Sequence, residues 1–73
     1  MSQTVTAAYD RVDKATNAFH ELVAEGFTQE QLFLDTDSSQ VRVVVPDTAR
    51  GHVERILKRH EPDNLWTRQI DAG

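Results

Sequence analysis

Two periods of apolar residues alternate along this chain. A period of two in the segment that contains Val5, Ala7 and Tyr9 predicts a β-strand, and a period of three to four residues after it predicts an α-helix. A further strand signal follows, and the same order then recurs. The 73 residues therefore predict strand, helix and strand twice over, an order that few topologies accommodate.

The first helix is predicted over residues 11–25, between two local signals. Asp10 has the side chain of an N-cap, because a carboxylate can accept hydrogen bonds from the free amides of the first turn. Gly26 marks the end, since glycine adopts the left-handed conformation after a helix without steric cost. The buried stripe of this helix is predicted to contain Val12, Ala15, Phe19, Leu22 and Val23.

The second half of the chain begins with a predicted hairpin. Its strands cover residues 32–35 and 40–45, and short polar residues form the turn between them. A helix over residues 48–60 follows, with Asp47 as its predicted N-cap, and the last strand covers residues 65–70. The buried stripe of this helix is predicted to contain Ala49, Val53, Ile56, Leu57 and His60.

These elements predict a single α+β domain over residues 1–73, with an ordered core from about residue 4 to residue 70. The simplest assembly is a ferredoxin-like βαββαβ sandwich, in which four antiparallel strands in the order 4-1-3-2 carry both helices on one face. The last strand is ambiguous, because Trp66 and Ile70 have one parity and Leu65 and Thr67 have the other. The helix-facing strand residues are predicted to be Val5, Ala7, Tyr9, Leu32, Leu34, Val41, Val43 and Val45.

The opposite face of such a sheet has no helix to cover it. We predict an interaction surface on this face, formed by Phe33, Arg42, Val44 and Trp66. Through it the chain would bind itself, as a homodimer, or another protein. The alternative is a row of half-exposed strand residues of the kind that monomers commonly show.

Charge argues against a nucleic-acid partner. The chain has 12 acidic and 8 basic residues and a formal net charge of −4, which repels phosphate backbones. The basic residues of the second predicted helix are interpreted as a solvated helix face rather than a binding patch. They are Arg50, Arg55, Lys58 and Arg59.

No group of residues has the pattern of a catalytic or metal site. The chain has no cysteine, which excludes disulfides and thiolate metal sites. His52 and His60 are eight residues apart on one helix, unlike the i, i+4 pair that shares a metal. We therefore predict a protein that is not an enzyme and has no catalytic residue, no metal and no cofactor.

The apolar segments are all much shorter than the ~20 residues of a membrane helix, and no signal peptide is recognisable. We expect a cytoplasmic protein without a membrane partner.

Two stretches resemble a known group of domains. The first is Val5 to Gly26, in which Ala7-Ala8-Tyr9-Asp10 leads into a helix that ends Glu25-Gly26-Phe27. The second extends from Val41 to Pro62 and ends Leu57-Lys58-Arg59-His60-Glu61-Pro62. Together they resemble the small bacterial general-stress, or heat-induced stress, protein domains. The resemblance implies a ferredoxin-like fold and a stress-associated role without known catalysis, and it assigns no site residues.

One alternative function remains open from the sequence. Amino-acid-sensing regulatory domains have the same predicted topology, and a small ligand would then bind at a helix–strand loop or at a dimer seam. Such domains usually accompany an enzyme or transporter domain, and we expect neither within these 73 residues.

Overall fold

The computed structural model describes residues 2–69, which form one four-stranded antiparallel sheet and two α-helices. The elements are β1 (Ser2–Ala8), α1 (Val12–Ala24), β2 (Leu32–Asp35), β3 (Gln40–Pro46), a 3-10 turn (Asp47–Ala49), α2 (Arg50–Arg59) and β4 (Asn64–Gln69). The strand order is β2-β3-β1-β4, so that the first and third strands are central. The α+β class with a single antiparallel sheet is thus confirmed. Ile70, which the sequence assigns to the last strand, lies outside the described residues.

The register of the sheet separates two faces. Val5 pairs with Val43 and Thr67, and Ala7 pairs with Val41, so that side chains of this parity meet the helices. This parity predicts burial correctly, although Leu34 at the margin is only half-buried. The buried strand-side residues of the core are Val5, Ala7, Tyr9, Leu32, Val41, Val43 and Val45.

Helix α1 is rotated relative to the stripe that the sequence predicts. Ala15, Ala18 and Leu22 are fully buried, whereas Val12 and Val23 are 38% and 42% exposed. At 3.6 residues per turn, both valines lie about 90° or more from the line through the buried residues. The prediction for these two valines is therefore wrong, because the helix packs on the sheet through Ala15, Ala18 and Leu22.

Asp10 and Asp47, which the sequence predicts as N-caps, are not the N-cap residues of α1 and α2. The N-cap of α1 is Arg11, because the chain stays extended through this residue, and the Asp10 carboxylate instead lies 3.3 Å from Lys14 Nζ. Asp47 begins the 3-10 turn, so that the N-cap of α2 is Ala49. Neither α-helix has a side-chain hydrogen bond at its N-cap.

Helix α1 ends just before Gly26, as the sequence predicts. Gly26 has φ of 104°, and its amide donates to the Val23 carbonyl at 3.1 Å. The Phe27 amide donates to the Leu22 carbonyl at 3.2 Å, which completes a Schellman motif. Phe27 packs against the core from this position.

The parity of β4 is decided by its pairing with β1. Leu65 pairs with Ala7 on the helix side, and the Thr67 hydroxyl donates to Glu54 Oε2 of α2 at 2.9 Å. Trp66 therefore lies on the opposite face. Within residues 2–69, neither helix is long and apolar enough to cross a membrane.

Candidate interaction site on the open sheet face

The sheet face opposite the helices carries two cross-strand rows of side chains. Phe33 pairs with Arg42, Arg42 pairs with Thr6, and Thr6 pairs with Trp66, so that each strand contributes one residue to the first row. In the adjoining row, Thr4 pairs with both Val44 and Arg68. We call these seven residues the open face: Thr4, Thr6, Phe33, Arg42, Val44, Trp66 and Arg68.

The four residues that the sequence assigns to an interaction surface all lie on the open face. Phe33, Arg42 and Trp66 share one row, and Val44 belongs to the next. Phe33 is 54% exposed and Trp66 is 38% exposed, while Val44 is half-buried. The structure thus brings the four residues onto one surface and leaves two aromatic rings there in contact with solvent.

A shallow depression occupies one half of the open face. It has a volume of about 440 Å³ and is lined by Thr4, Thr6, Arg42, Trp66 and Arg68. Two guanidinium groups, two hydroxyl groups and an indole ring therefore meet around one space. Arg68 is not among the residues predicted for this surface, but it has the same strand parity as Trp66 and therefore lies on the same face.

The open face carries positive charge that is not neutralised nearby. Neither Arg42 nor Arg68 forms an ion pair with a carboxylate of residues 2–69. Asp35, at the end of β2, has the strand parity of Phe33, and its Oδ1 accepts hydrogen bonds from the amides of Asp37 at 3.0 Å and Ser38 at 3.3 Å. Hydrogen bonding from Ser38, and more weakly the charge of Arg42, holds the pKa of Asp35 below its usual range. Its carboxylate is therefore ionised but already bound by the hairpin turn.

Two of the four basic residues predicted on the second helix form ion pairs with glutamates. Arg50 Nε lies 3.8 Å from Glu54 Oε2, and Arg59 Nη1 lies 2.6 Å from Glu21 Oε2. These contacts agree with the interpretation of this surface as a solvated helix face.

The histidines of α2 also have carboxylate neighbours. His52 Nε2 lies 3.1 Å from Glu25 Oε1, and His60 Nε2 lies 2.6 Å from Glu21 Oε1. Among residues 2–69, no three histidine, aspartate or glutamate side chains converge as the ligands of a metal ion would. Because Glu21 belongs to α1 and Glu25 follows its last residue, the contacts of both histidines link α2 to α1.

Comparison of the chain with family models, with curated proteins and with solved structures finds no match. The open face must therefore be interpreted from its own chemistry. That chemistry consists of two exposed aromatic rings in one row and two arginines without an ion-pair partner among the described residues.

Proposed function

We propose that this chain is a non-enzymatic interaction module that binds a protein partner through the open face. The observation that carries this proposal is the row in which Phe33 and Trp66 are exposed on either side of Arg42 and Thr6. Aromatic and arginine side chains are enriched among the residues that contribute most to binding at protein interfaces. Covering the two rings would remove apolar surface from water, which favours association.

The fold proposed for this module is the ferredoxin-like sandwich, and its proposed location is the cytoplasm. The strand order β2-β3-β1-β4, with the core on one side of the sheet, supports the fold assignment. The stress-associated role that the resemblance implies stays a prediction.

The charge of the open face favours a partner other than a second copy. A symmetric face-to-face dimer would bring Arg42 and Arg68 of both copies together, and like charges across an interface oppose binding. Asp35, the one acid of this strand parity among the described residues, offsets this only in part, because each copy has one such carboxylate against two arginines. The homodimer predicted from the sequence stays a prediction, and the mass in solution tests it.

One observation favours a small-ligand-binding regulatory domain as the second candidate. The depression beside Trp66 has a volume of about 440 Å³, within the range of roughly 300–1,000 Å³ that ligand pockets cover. All the residues that line the depression belong to the sheet face, and no helix or loop of residues 2–69 closes over it, so the depression is shallow. Such a site would differ in place from the loop or dimer seam predicted for this alternative.

Photo-crosslinking in the native cell tests the proposed function. A photoreactive amino acid at Phe33 should give a discrete crosslinked product, and the same amino acid at Val23 should not. Val23 is a matched control, because it is an apolar residue exposed to a similar degree on the helix side. The product should disappear when Trp66→Ala is added to the chain. Equal products from both positions, or none from Phe33, would contradict the proposal.

The mass of the purified protein, measured by light scattering over a range of concentrations, tests the homodimer separately. If open faces associate, Val44→Lys should shift the protein towards monomer without changing its circular dichroism, because a further positive charge lies beside Arg42 and Arg68. A wild-type protein that remains at 8.3 kDa would exclude the homodimer.

A further inference from the structure

Arg42 and Arg68 lie at opposite corners of the depression. Arg42 pairs with Thr6 on one side of β1, and Arg68 pairs with Thr4 on the other side. Their Cα atoms are separated by two interstrand spacings of about 4.8 Å and by two residues, about 6.8 Å, along the strand direction. The Cα–Cα distance is therefore about 12 Å. Both side chains are long enough to reach a group held between them, above the two threonines.

The groups around this space match a carboxylate. A guanidinium binds a carboxylate through two parallel N–H···O hydrogen bonds, and these charge-assisted bonds are stronger than neutral ones. The hydroxyl groups of Thr4 and Thr6 add two donors between the arginines. The indole of Trp66 borders the same space and offers an apolar surface. Within the described part of the chain, neither guanidinium forms an ion pair with a carboxylate.

We propose that Arg42 and Arg68 form a clamp for acidic side chains, and that the partner of the open face presents an acidic segment with an apolar side chain over Trp66. This inference rests on the proposed function and names the chemistry of the partner. The charge of the face carries it, because two arginines face outward in a chain whose net charge is −4.

An extended polypeptide fits the open face better than a free small anion does. The apolar surface continues beyond the depression to the exposed Phe33 and the half-buried Val44. An anion in the depression would leave Phe33 in water, whereas a segment that crosses the strands covers both.

A nucleic acid fits less well for two reasons. The negative net charge repels a phosphate backbone at long range. The central strands also lack the aromatic residues on which RNA-recognition sheets stack bases, since their open-face positions are Thr4, Thr6, Arg42 and Val44.

Peptide titration of the intact protein tests the clamp. The probe is the blocked peptide Glu-Glu-Leu-Glu-Glu, and the control is Gln-Gln-Leu-Gln-Gln. Trp66 is the single tryptophan of the chain, so its fluorescence reports binding directly, and amide chemical shifts locate it. The acidic peptide should perturb Thr4, Thr6, Arg42 and Trp66 in a saturable manner that weakens with salt, and the glutamine peptide should bind at least tenfold more weakly.

Single substitutions identify the groups that bind. Arg42→Gln and Arg68→Gln should each lower the affinity for the acidic peptide about tenfold, which corresponds to about 1.4 kcal/mol. Arg55→Gln is the matched control, because Arg55 is exposed on α2 and forms no ion pair with residues 2–69. The proposal is overturned if both peptides bind equally, or if Arg55→Gln weakens binding as much as the other two.

Two further ligands test the class of partner. Glutarate or inorganic phosphate that binds as tightly as the acidic peptide, with the same shifts, would identify a small-anion site and overturn the proposal. An oligothymidine of eight nucleotides that binds more tightly than the peptide would also overturn it.

The crosslink at Phe33 separates the clamp from the proposed function. If Arg42→Gln with Arg68→Gln leaves the crosslinked product unchanged, the clamp is wrong and the interaction module remains. If the peptide binds as expected but no crosslinked product forms in cells, the proposed function fails instead.

Discussion

Oε1 of Glu21 lies 2.6 Å from Nε2 of His60, and the second oxygen of the same carboxylate lies 2.6 Å from Nη1 of Arg59. One acidic residue of α1 thus holds two consecutive residues at the end of α2. One turn further along α1, Glu25 contacts His52 at 3.1 Å. The two helices are therefore joined by side-chain contacts at two levels as well as by the core beneath them.

The pKa of Glu21 predicts a loss of stability in acid. The hydrogen bond with His60, together with the charge of Arg59, lowers the pKa of Glu21 although desolvation opposes the shift. A lowered pKa in the folded state adds stability above the pKa of the unfolded chain, about 4.3, and this stability is lost as the pH falls through the folded value. Glu21→Gln should therefore be less stable than wild type at pH 7, by up to about 1 kcal/mol.

Urea unfolding at several pH values measures this effect. The difference between wild type and Glu21→Gln should shrink as the pH falls below the ordinary glutamate range. Glu30→Gln is the control, because Glu30 is exposed and forms no ion pair with the described residues. A difference that stays constant down to pH 2 would show that Glu21 does not contribute as an ion.

Tyr9 is expected to resist ionisation in the folded protein. Its hydroxyl donates to the Leu57 carbonyl at 2.8 Å, and burial, followed by the negative charge of Glu21, raises its pKa well above the ordinary value. Stability from this residue is present below the unfolded pKa, about 10, and is lost as the pH rises above it. Tyr9 is the single tyrosine of the chain, so ultraviolet absorbance of tyrosinate can be assigned to it. The titration should lie at higher pH in buffer than in concentrated urea, and coincident curves would refute the burial of this hydroxyl.

The rotation of α1 and the burial of α2 predict a contrast between two truncations. Ile56→Ala removes a fully buried side chain and should cost about 2–5 kcal/mol, which could unfold so small a domain. Val23→Ala removes an exposed side chain and should change stability by less than about 0.5 kcal/mol. Thermal unfolding of both variants checks this, and a large loss in Val23→Ala would support the helix register predicted from sequence instead.

The two described glycines of the helical regions should respond oppositely to the same substitution. A Cβ at Gly51 would meet no atom within 4 Å, so Gly51→Ala should stabilise α2 by about 0.5–1 kcal/mol. Gly26 has φ of 104°, and alanine there should cost roughly 1–2 kcal/mol although the space is open. Urea unfolding of both variants measures the two signs. A stabilising Gly26→Ala would contradict the left-handed end of α1.

The order of the strands and helices along the chain, and most of the inward-facing side of the sheet, follow from local sequence patterns. A strand alternates its side chains between two faces, so the parity of Val5, Val41 and Val43 predicts burial without knowledge of the partner strands. Gly26 likewise predicts the end of α1, because its backbone conformation is a local property. The positions of Phe33, Arg42 and Val44 on the open face follow from the same alternation.

Tertiary structure determines the side of the sheet on which Trp66 and Arg68 lie, because both parities of β4 carry apolar residues and pairing with β1 selects between them. It also decided the rotation of α1, since either face of that helix offers apolar side chains and the sheet accommodates the one with two alanines. The depression between Arg42 and Arg68 depends on residues from three strands. Local periodicity cannot predict such a site, because it carries no information on which strands become neighbours or in what register.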